Sequence, residues 1–216
     1  MNFLEKNVMS RFEPEALRTV YDGFAPDYDR SRTLFDNRAQ LWMLAERLPS
    51  RANVLDAGCG SGRPVLRFFA DCGHRVTGTD ISSAMLKLAS RNVPEAALFE
   101  ADSAALEFDA ESFDLITSFY SLFHLKMKQQ EEAFLGFLKL LRPGGVAYFT
   151  LACEAYTGEA EFCGTKEFSG VELPYSHTTP EAYRLLFEKT GFVVESMEPL
   201  QIGGETMLWV LIRKRP

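Results

Sequence analysis

The densest chemical signal in the chain is Val54-Leu55-Asp56-Ala57-Gly58-Cys59-Gly60-Ser61-Gly62, a buried-strand pattern running into glycines at alternate positions. Glycine lacks a Cβ, so the backbone there can approach a ligand closely and take positive φ where a tight turn needs it. A dinucleotide fingerprint would require another glycine at position 63, which is Arg63. A phosphate-binding loop would close on Gly-Lys-Ser or Gly-Lys-Thr, and neither follows. Asp56, ahead of the first glycine, would repel a pyrophosphate and suits a zwitterionic ligand carrying an ammonium and a sulfonium. Two more acids end the next two strand patterns. Asp80, in Thr77-Gly78-Thr79-Asp80, is placed to hold both hydroxyls of a ribose. Asp102, in Glu100-Ala101-Asp102-Ser103, is placed to accept a hydrogen from an adenine amino group. Each acid alone fits a helix cap or a turn. Three of them at successive strand ends point to a nucleoside site.

The chain has three histidines. His74, in Gly73-His74-Arg75 before a strand, reads as a surface turn residue. His124 follows the fourth strand at the mouth of the expected site, with a pocket role and local packing equally open. His177, in Pro174-Tyr175-Ser176-His177-Thr178, favours substrate contact over loop structure, and Tyr175 shares that reading. His124, His177 and Tyr175 are therefore the candidate catalytic residues, as base or substrate orienter. Cys59, Cys72, Cys153 and Cys163 form no C-x-x-C pair and have no histidine at ligand spacing, so no metal is expected and free thiols in a reducing compartment fit best.

The elements that must position these residues alternate. Helical patterns over residues 13–24 and 35–48 come first, separated by the aromatic, acidic stretch 21–29. Strands are then expected at 53–57, 75–79, 97–99, 113–118 and 146–151, with helices at 63–72, 82–91 and 128–141 between them. This order predicts an α/β, doubly wound Rossmann-like sheet with ligands at the carboxyl ends of its strands. Residues 152–176 show no clear period and read as a long loop, with 152–177 a candidate substrate lid. A helix at 180–190 leads to strands at 192–197 and 206–212, close enough to pair antiparallel.

At 216 residues with 46% hydrophobic content, one domain spanning 1–216 is expected, with residues 1–50 as an N-terminal helical cap. The net charge of -7 and the absence of a basic stripe disfavour nucleic acid as a partner. No run of about 18 apolar residues occurs, and the N-terminus lacks a signal-peptide core, so a cytoplasmic protein without a membrane partner is expected, as monomer or homodimer.

These segments resemble the class I S-adenosylmethionine (SAM)-dependent methyltransferases, small-molecule type, over residues 21–151. The family's glycine motif matches Val54 to Gly62, its ribose acid Asp80 and its adenine-side acid Asp102. Its fourth-strand segment matches residues 113–124, and Leu141-Arg142-Pro143-Gly144-Gly145 before a strand is another hallmark. The resemblance implies a seven-stranded sheet of order 3-2-1-4-5-7-6 with the last strand antiparallel, SAM as cofactor and S-adenosylhomocysteine (SAH) as product. It implies that Asp56, Gly58, Gly60 and Ser118 face the methionine portion, Asp80, Ile81 and Met85 the ribose side, and Ala101, Asp102 and Ser103 the adenine. Phe119 and Phe123 would close the pocket, and Tyr21, Tyr28 and Arg32 would contact the cofactor from the N-terminal segment.

Methyl transfer from a sulfonium is an in-line displacement that needs alignment and exclusion of water, and a general base only where the nucleophile is protonated. The 18 phenylalanines, several near the expected site, are compatible with an apolar or aromatic small acceptor. Ser118-Phe119-Tyr120-Ser121 replaces the Asn/Asp-Pro-Pro-Tyr that marks amino methylation of bases or glutamine. Two rivals remain open: a non-catalytic SAM- or SAH-binding regulatory or assembly protein, and an NAD-dependent oxidoreductase, which Arg63 disfavours.

Overall fold

The computed structural model describes residues 8–31, 36–168 and 170–216. In chain order its elements are α1 (Pro14–Ser31), α2 (Arg38–Ala45), β1 (Asn53–Ala57), α3 (Val65–Asp71), β2 (Arg75–Asp80), α4 (Ser83–Asn92) and β3 (Ala97–Glu100). Then follow β4 (Phe113–Ser118), a 3₁₀ turn (Leu122–His124), α5 (Met127–Leu140), β5 (Leu141–Leu151) and α6 (Glu154–Thr157). The chain ends with β6 (Phe162–Phe168), β7 (Val171–His177), α7 (Pro180–Thr190), β8 (Phe192–Ile202) and β9 (Glu205–Lys214).

Period-two alternation in the central strands explains the layers. Val54 and Leu115 face one apolar layer, Leu55 and Ile116 the other, and parallel pairing sets Val54 opposite both Val76 and Leu115. Leu41 and Leu44 of α2, Leu66 and Phe69 of α3 and Ala89 of α4 cover the first face. Phe134 and Phe137 of α5 and Tyr183 and Phe187 of α7 cover the second. A strand buried on both faces must read as a near-continuous apolar run, which β1 and β4 do. Burying each such phenylalanine contributes roughly 1.5–3 kcal/mol.

The sheet order is β3-β2-β1-β4-β5-β9-β8, with β9 antiparallel to β5 and to β8. Apart from the numbering this is the expected 3-2-1-4-5-7-6. The difference arises because β6 and β7 form a separate two-stranded antiparallel sheet inserted before α7. Residues 152–176 are therefore not a long irregular loop: they hold α6 and this hairpin. The hairpin escaped the sequence because Leu173 to His177 are all buried, which erases the alternation that would announce a half-exposed strand.

Boundaries moved elsewhere too. The first helix continues to Ser31 rather than ending near residue 24. The second is shorter than expected, Arg38–Ala45, with Phe35 outside the described residues. β8 extends through Pro199 to Ile202, which is tolerable because β8 is an edge strand and a missing N–H there breaks no ladder bond. Local chemistry fixes several ends. Ser82 Oγ accepts from Met85 N (3.1 Å) at the start of α4, and Thr179 does the same for α7, which Gly191 ends in a left-handed turn. Among the described residues no helix is long and apolar enough to cross a membrane.

Candidate functional site

The carboxyl ends of β1, β2, β3 and β4 open onto one cleft, at the sheet edge where doubly wound folds bind their ligands. Its floor is the turn after β1. Gly58 has φ 78° and Gly60 φ 53°, and a Cβ at Gly58 would stand 2.3 Å from Ser121 Oγ, so this backbone can follow its path only as glycine. Gly58 N and Cys59 N donate to Thr79 O, each at 2.8 Å, which anchors the turn to β2.

Asp80 ends β2 and ties three segments together. Its Oδ2 accepts from Gly60 N and its Oδ1 from Ser82 N, each at 2.8 Å, and its backbone carbonyl accepts from Ala101 N (3.1 Å). Burial pushes its carboxyl up to about 6, against the opposing pull of those backbone donors. Beyond it the wall continues through Ile81, Met85 and Ala101, Asp102 and Ser103. Asp102 Oδ1 accepts from Ala104 N (2.9 Å), a turn-stabilising bond that leaves its other oxygen to a ligand.

α1 closes the opposite side. Leu17 and Tyr21, one helical turn apart, face the cleft. The residues between and beside them clamp the helix down: Arg18 Nε donates to Ile81 O (3.0 Å) and pairs with Glu100 (3.0 Å). Asp22 Oδ1 accepts from Ser82 Oγ (2.5 Å) and Ala84 N (3.2 Å).

After β4, Tyr120, Ser121, His124 and Leu125 complete the lining. His124 Nδ1 lies 2.7 Å from Pro174 O and its Nε2 2.7 Å from Tyr21 Oη. A carbonyl only accepts, so Nδ1 carries the proton; Nε2 then holds a lone pair, and the Tyr21 hydroxyl donates to it. Burial keeps the ring neutral, its pKa pushed down to about 4, with the bond to Pro174 O opposing that shift only in part.

A largely apolar wall, a buried carboxylate fixed by backbone donors and a second acidic turn suit a nucleoside bearing a cationic sulfonium. Among the described lining residues the charged groups are Asp80 and Asp102. Residues 54–145 match the family model described as a methyltransferase domain. The chain is also 34% identical over 150 residues to a malonyl-[acyl-carrier protein] O-methyltransferase of Enterobacter lignolyticus, covering 68% of this chain and 58% of that protein. This chain belongs to the class I SAM-dependent methyltransferases.

Other methyltransferase-fold relatives vary in chemistry. A SAM-dependent Diels-Alderase of Neonectria sp. is 31% identical over 156 residues, covering 68% of this chain and 60% of that protein. The chain thus spans less than two thirds of the length of the curated relatives it matches. A Burkholderia thailandensis 1,6-didemethyltoxoflavin-N1-methyltransferase, solved with 1,6-didemethyltoxoflavin and SAH, superposes with a TM-score of 0.72 at 22% identity, covering 93% of this chain and 88% of that one.

Of the methyltransferase contacts expected from sequence, the cleft gathers Tyr21, Gly58, Gly60, Asp80, Ile81, Met85, Ala101, Asp102, Ser103 and His124. Others lie behind its wall. Asp56 is buried, is absent from the cleft lining and accepts from Thr117 Oγ1 (2.8 Å). Ser118 Oγ donates to Ala57 O (2.7 Å). Phe119 packs on Trp209 and Tyr148, and Phe123 stacks on Tyr175 at 5.0 Å. Tyr175 accepts from Tyr156 Oη (3.3 Å) and packs edge-on against the His124 ring at 5.0 Å. His177 pairs with Thr157 Oγ1 (2.7 Å) and stacks on Phe162, outside the cleft lining. Tyr28 falls within the span of α1 but its side chain, like Arg32, lies outside the described residues.

Sequence reasoning missed Leu17, Tyr120, Ser121 and Leu125 as lining. Leu17 was readable as the position one turn before Tyr21. Ser121 carried no signal, since its place is set by the absent side chain of Gly58.

Proposed function

We propose that this protein transfers a methyl group from SAM to a small-molecule acceptor, apolar or aromatic in character, by in-line displacement. The observation that carries this reading is the single cleft in which the Gly58–Gly60 turn, the Asp80 carboxylate and the Tyr21–His124 pair face one another. When bound, SAM supplies a methyl group already activated on a sulfonium. The chain's residues then bind and orient. Asp80 accepts from the ribose hydroxyls through the lone pairs its backbone donors leave free, Ile81 and Met85 flank the nucleoside, and Asp102 and Ser103 hold the adenine edge. Gly58 and Gly60 let the backbone lie against the methionine portion.

At the acceptor end, the neutral His124 offers Nε2 to the departing proton of a hydroxyl or N–H nucleophile, and the Tyr21 hydroxyl turns toward the acceptor. Charge is conserved locally, since the positive charge leaving the sulfonium reappears on the imidazole ring. Tyr175 supports the His124 ring, and His177 ties α6 to β7. The hairpin and α1, which meet through Phe24 and Phe168, act as substrate lid and cofactor cap of one domain. Four free cysteines support a reducing, cytoplasmic setting, where the protein works as monomer or homodimer.

Methyl-labelled SAM incubated with a panel of phenols, heteroaromatic N–H compounds and malonyl thioesters tests the proposal. SAH formation dependent on one acceptor class is expected, with His124→Ala lowering kcat/KM by about 10²–10⁴-fold. The Diels-Alderase relative favours a second reading, SAM binding without methyl transfer. Tight SAH binding with no label transfer to any acceptor would support that reading instead.

A further inference from the structure

Gln130, near the start of α5, is fully buried and lies outside the cleft lining. Its amide is nevertheless saturated. Nε2 donates to Leu125 O (3.0 Å), Ser176 O (3.0 Å) and Ser176 Oγ (3.1 Å), and Oε1 accepts from Tyr183 Oη (2.7 Å). Ser176 Oγ closes the circuit by donating to Leu125 O at 2.6 Å. The Leu125 and Ser176 carbonyls decide which way the amide faces: both can only accept, so the NH₂ end must point at them, and Oε1 then accepts from the Tyr183 hydroxyl. A network of this kind, every member satisfied, fixes one arrangement of the segments it joins.

Those segments meet at His124. Leu125 follows His124 in the chain, and Ser176 stands two residues after Pro174, whose carbonyl receives the His124 Nδ1–H. Pro174 suits that task. It lies in β7 opposite Thr165 of β6, and a strand residue turns its N–H and C=O to the same side. Its carbonyl points to His124 rather than along the hairpin ladder, so the N–H that proline lacks would have had no ladder partner. Without that carbonyl the ring proton could move to Nε2. Nε2 would then donate to the Tyr21 oxygen and present no lone pair to the cleft.

We infer that Gln130 is a positioning residue for His124: by tying Leu125 to Ser176 it holds the Pro174 carbonyl on Nδ1 and so keeps Nε2 as the proton acceptor facing Tyr21 and the cleft. The inference rests on the reading of His124 as proton acceptor in methyl transfer, and it extends the site to a residue that touches neither cofactor nor acceptor.

The test is ¹⁵N-histidine NMR of the full chain, comparing the native protein with Gln130→Met, which keeps the shape and removes the amide, and with Tyr183→Phe, which keeps the amide and removes the donor to its oxygen. The native protein is expected to give a pyrrole-like Nδ1 and a pyridine-like Nε2 at His124. In Gln130→Met that single-tautomer signature is lost to a mixture, while SAH affinity stays unchanged. Should Gln130→Met fail to fold, Tyr183→Phe is read by the same criterion. Folded variants that bind SAH and keep His124 wholly as the Nδ1–H tautomer, with only a lower Tm, would overturn the inference. The underlying catalytic reading fails separately, if His124→Ala leaves SAM-to-SAH conversion on the acceptor panel unchanged; the tautomer measurement needs no acceptor and is unaffected by that result.

Discussion

His124 and Asp80 are both buried and both titrate away from their ordinary values, in ways that oppose each other. The folded protein resists protonating His124 until about pH 4, whereas the unfolded chain takes up that proton near 6.5. The unfolded state binds more protons across that window, so the contribution of His124 is fully present above 6.5 and lost as pH falls toward 4. Asp80 works in the other direction. Its folded value of about 6 lies above the ordinary 3.8, so its contribution is present below 3.8 and lost as pH rises through 6. Urea unfolding of His124→Gln beside the native protein isolates the first effect: the stability gap should narrow by about 3 kcal/mol on going from pH 7 to pH 4. A gap independent of pH would contradict the neutral, buried imidazole. In the proposed function Asp80 holds the cofactor ribose. Ribose hydroxyls need an ionised carboxylate as acceptor, so SAH affinity should decline below about pH 6, by up to about tenfold per unit.

At the level of elements, the turn after β1 and the clamp of α1 on α4 position these side chains. Gly58→Ala would impose left-handed strain of about 1–2 kcal/mol and drive a methyl group against Ser121 Oγ. The expected outcome is a lower Tm and loss of SAH binding. Asp22→Ala removes the acceptor for Ser82 Oγ and Ala84 N. It should cost about 1 kcal/mol and weaken SAH binding while leaving the sheet intact by circular dichroism. Much of this was readable in the chain. The apolar runs of β1 and β4, the glycines after β1 and the acids closing β2 and the strand after it follow local rules, and they located the cleft. The acceptor half was less legible. His124 could be placed at a strand end but not given a partner, because Tyr21 and Pro174 reach it from elements far away in sequence. The side chains of Asp56 and Ser118 hydrogen-bond to Thr117 and to the Ala57 carbonyl, contacts between strands that the glycine motif itself does not announce. The hairpin was hidden because its buried strand has no alternating pattern, and Phe123 and Tyr175 stack on each other behind the cleft rather than lining it.

For the whole molecule, the sheet, α1 and the segment after β4 enclose one cleft, which the proposed function divides into a cofactor half and an acceptor half. Binding that draws on this enclosure should stabilise the native state by mass action, about 2.7 kcal/mol at a hundredfold excess over Kd. The most direct measurement is calorimetric titration of SAH into the native protein and into Asp80→Ala. One site per chain is expected in the native protein, with loss of measurable binding in Asp80→Ala. No heat of binding in the native protein, or equal affinity in both, would contradict it.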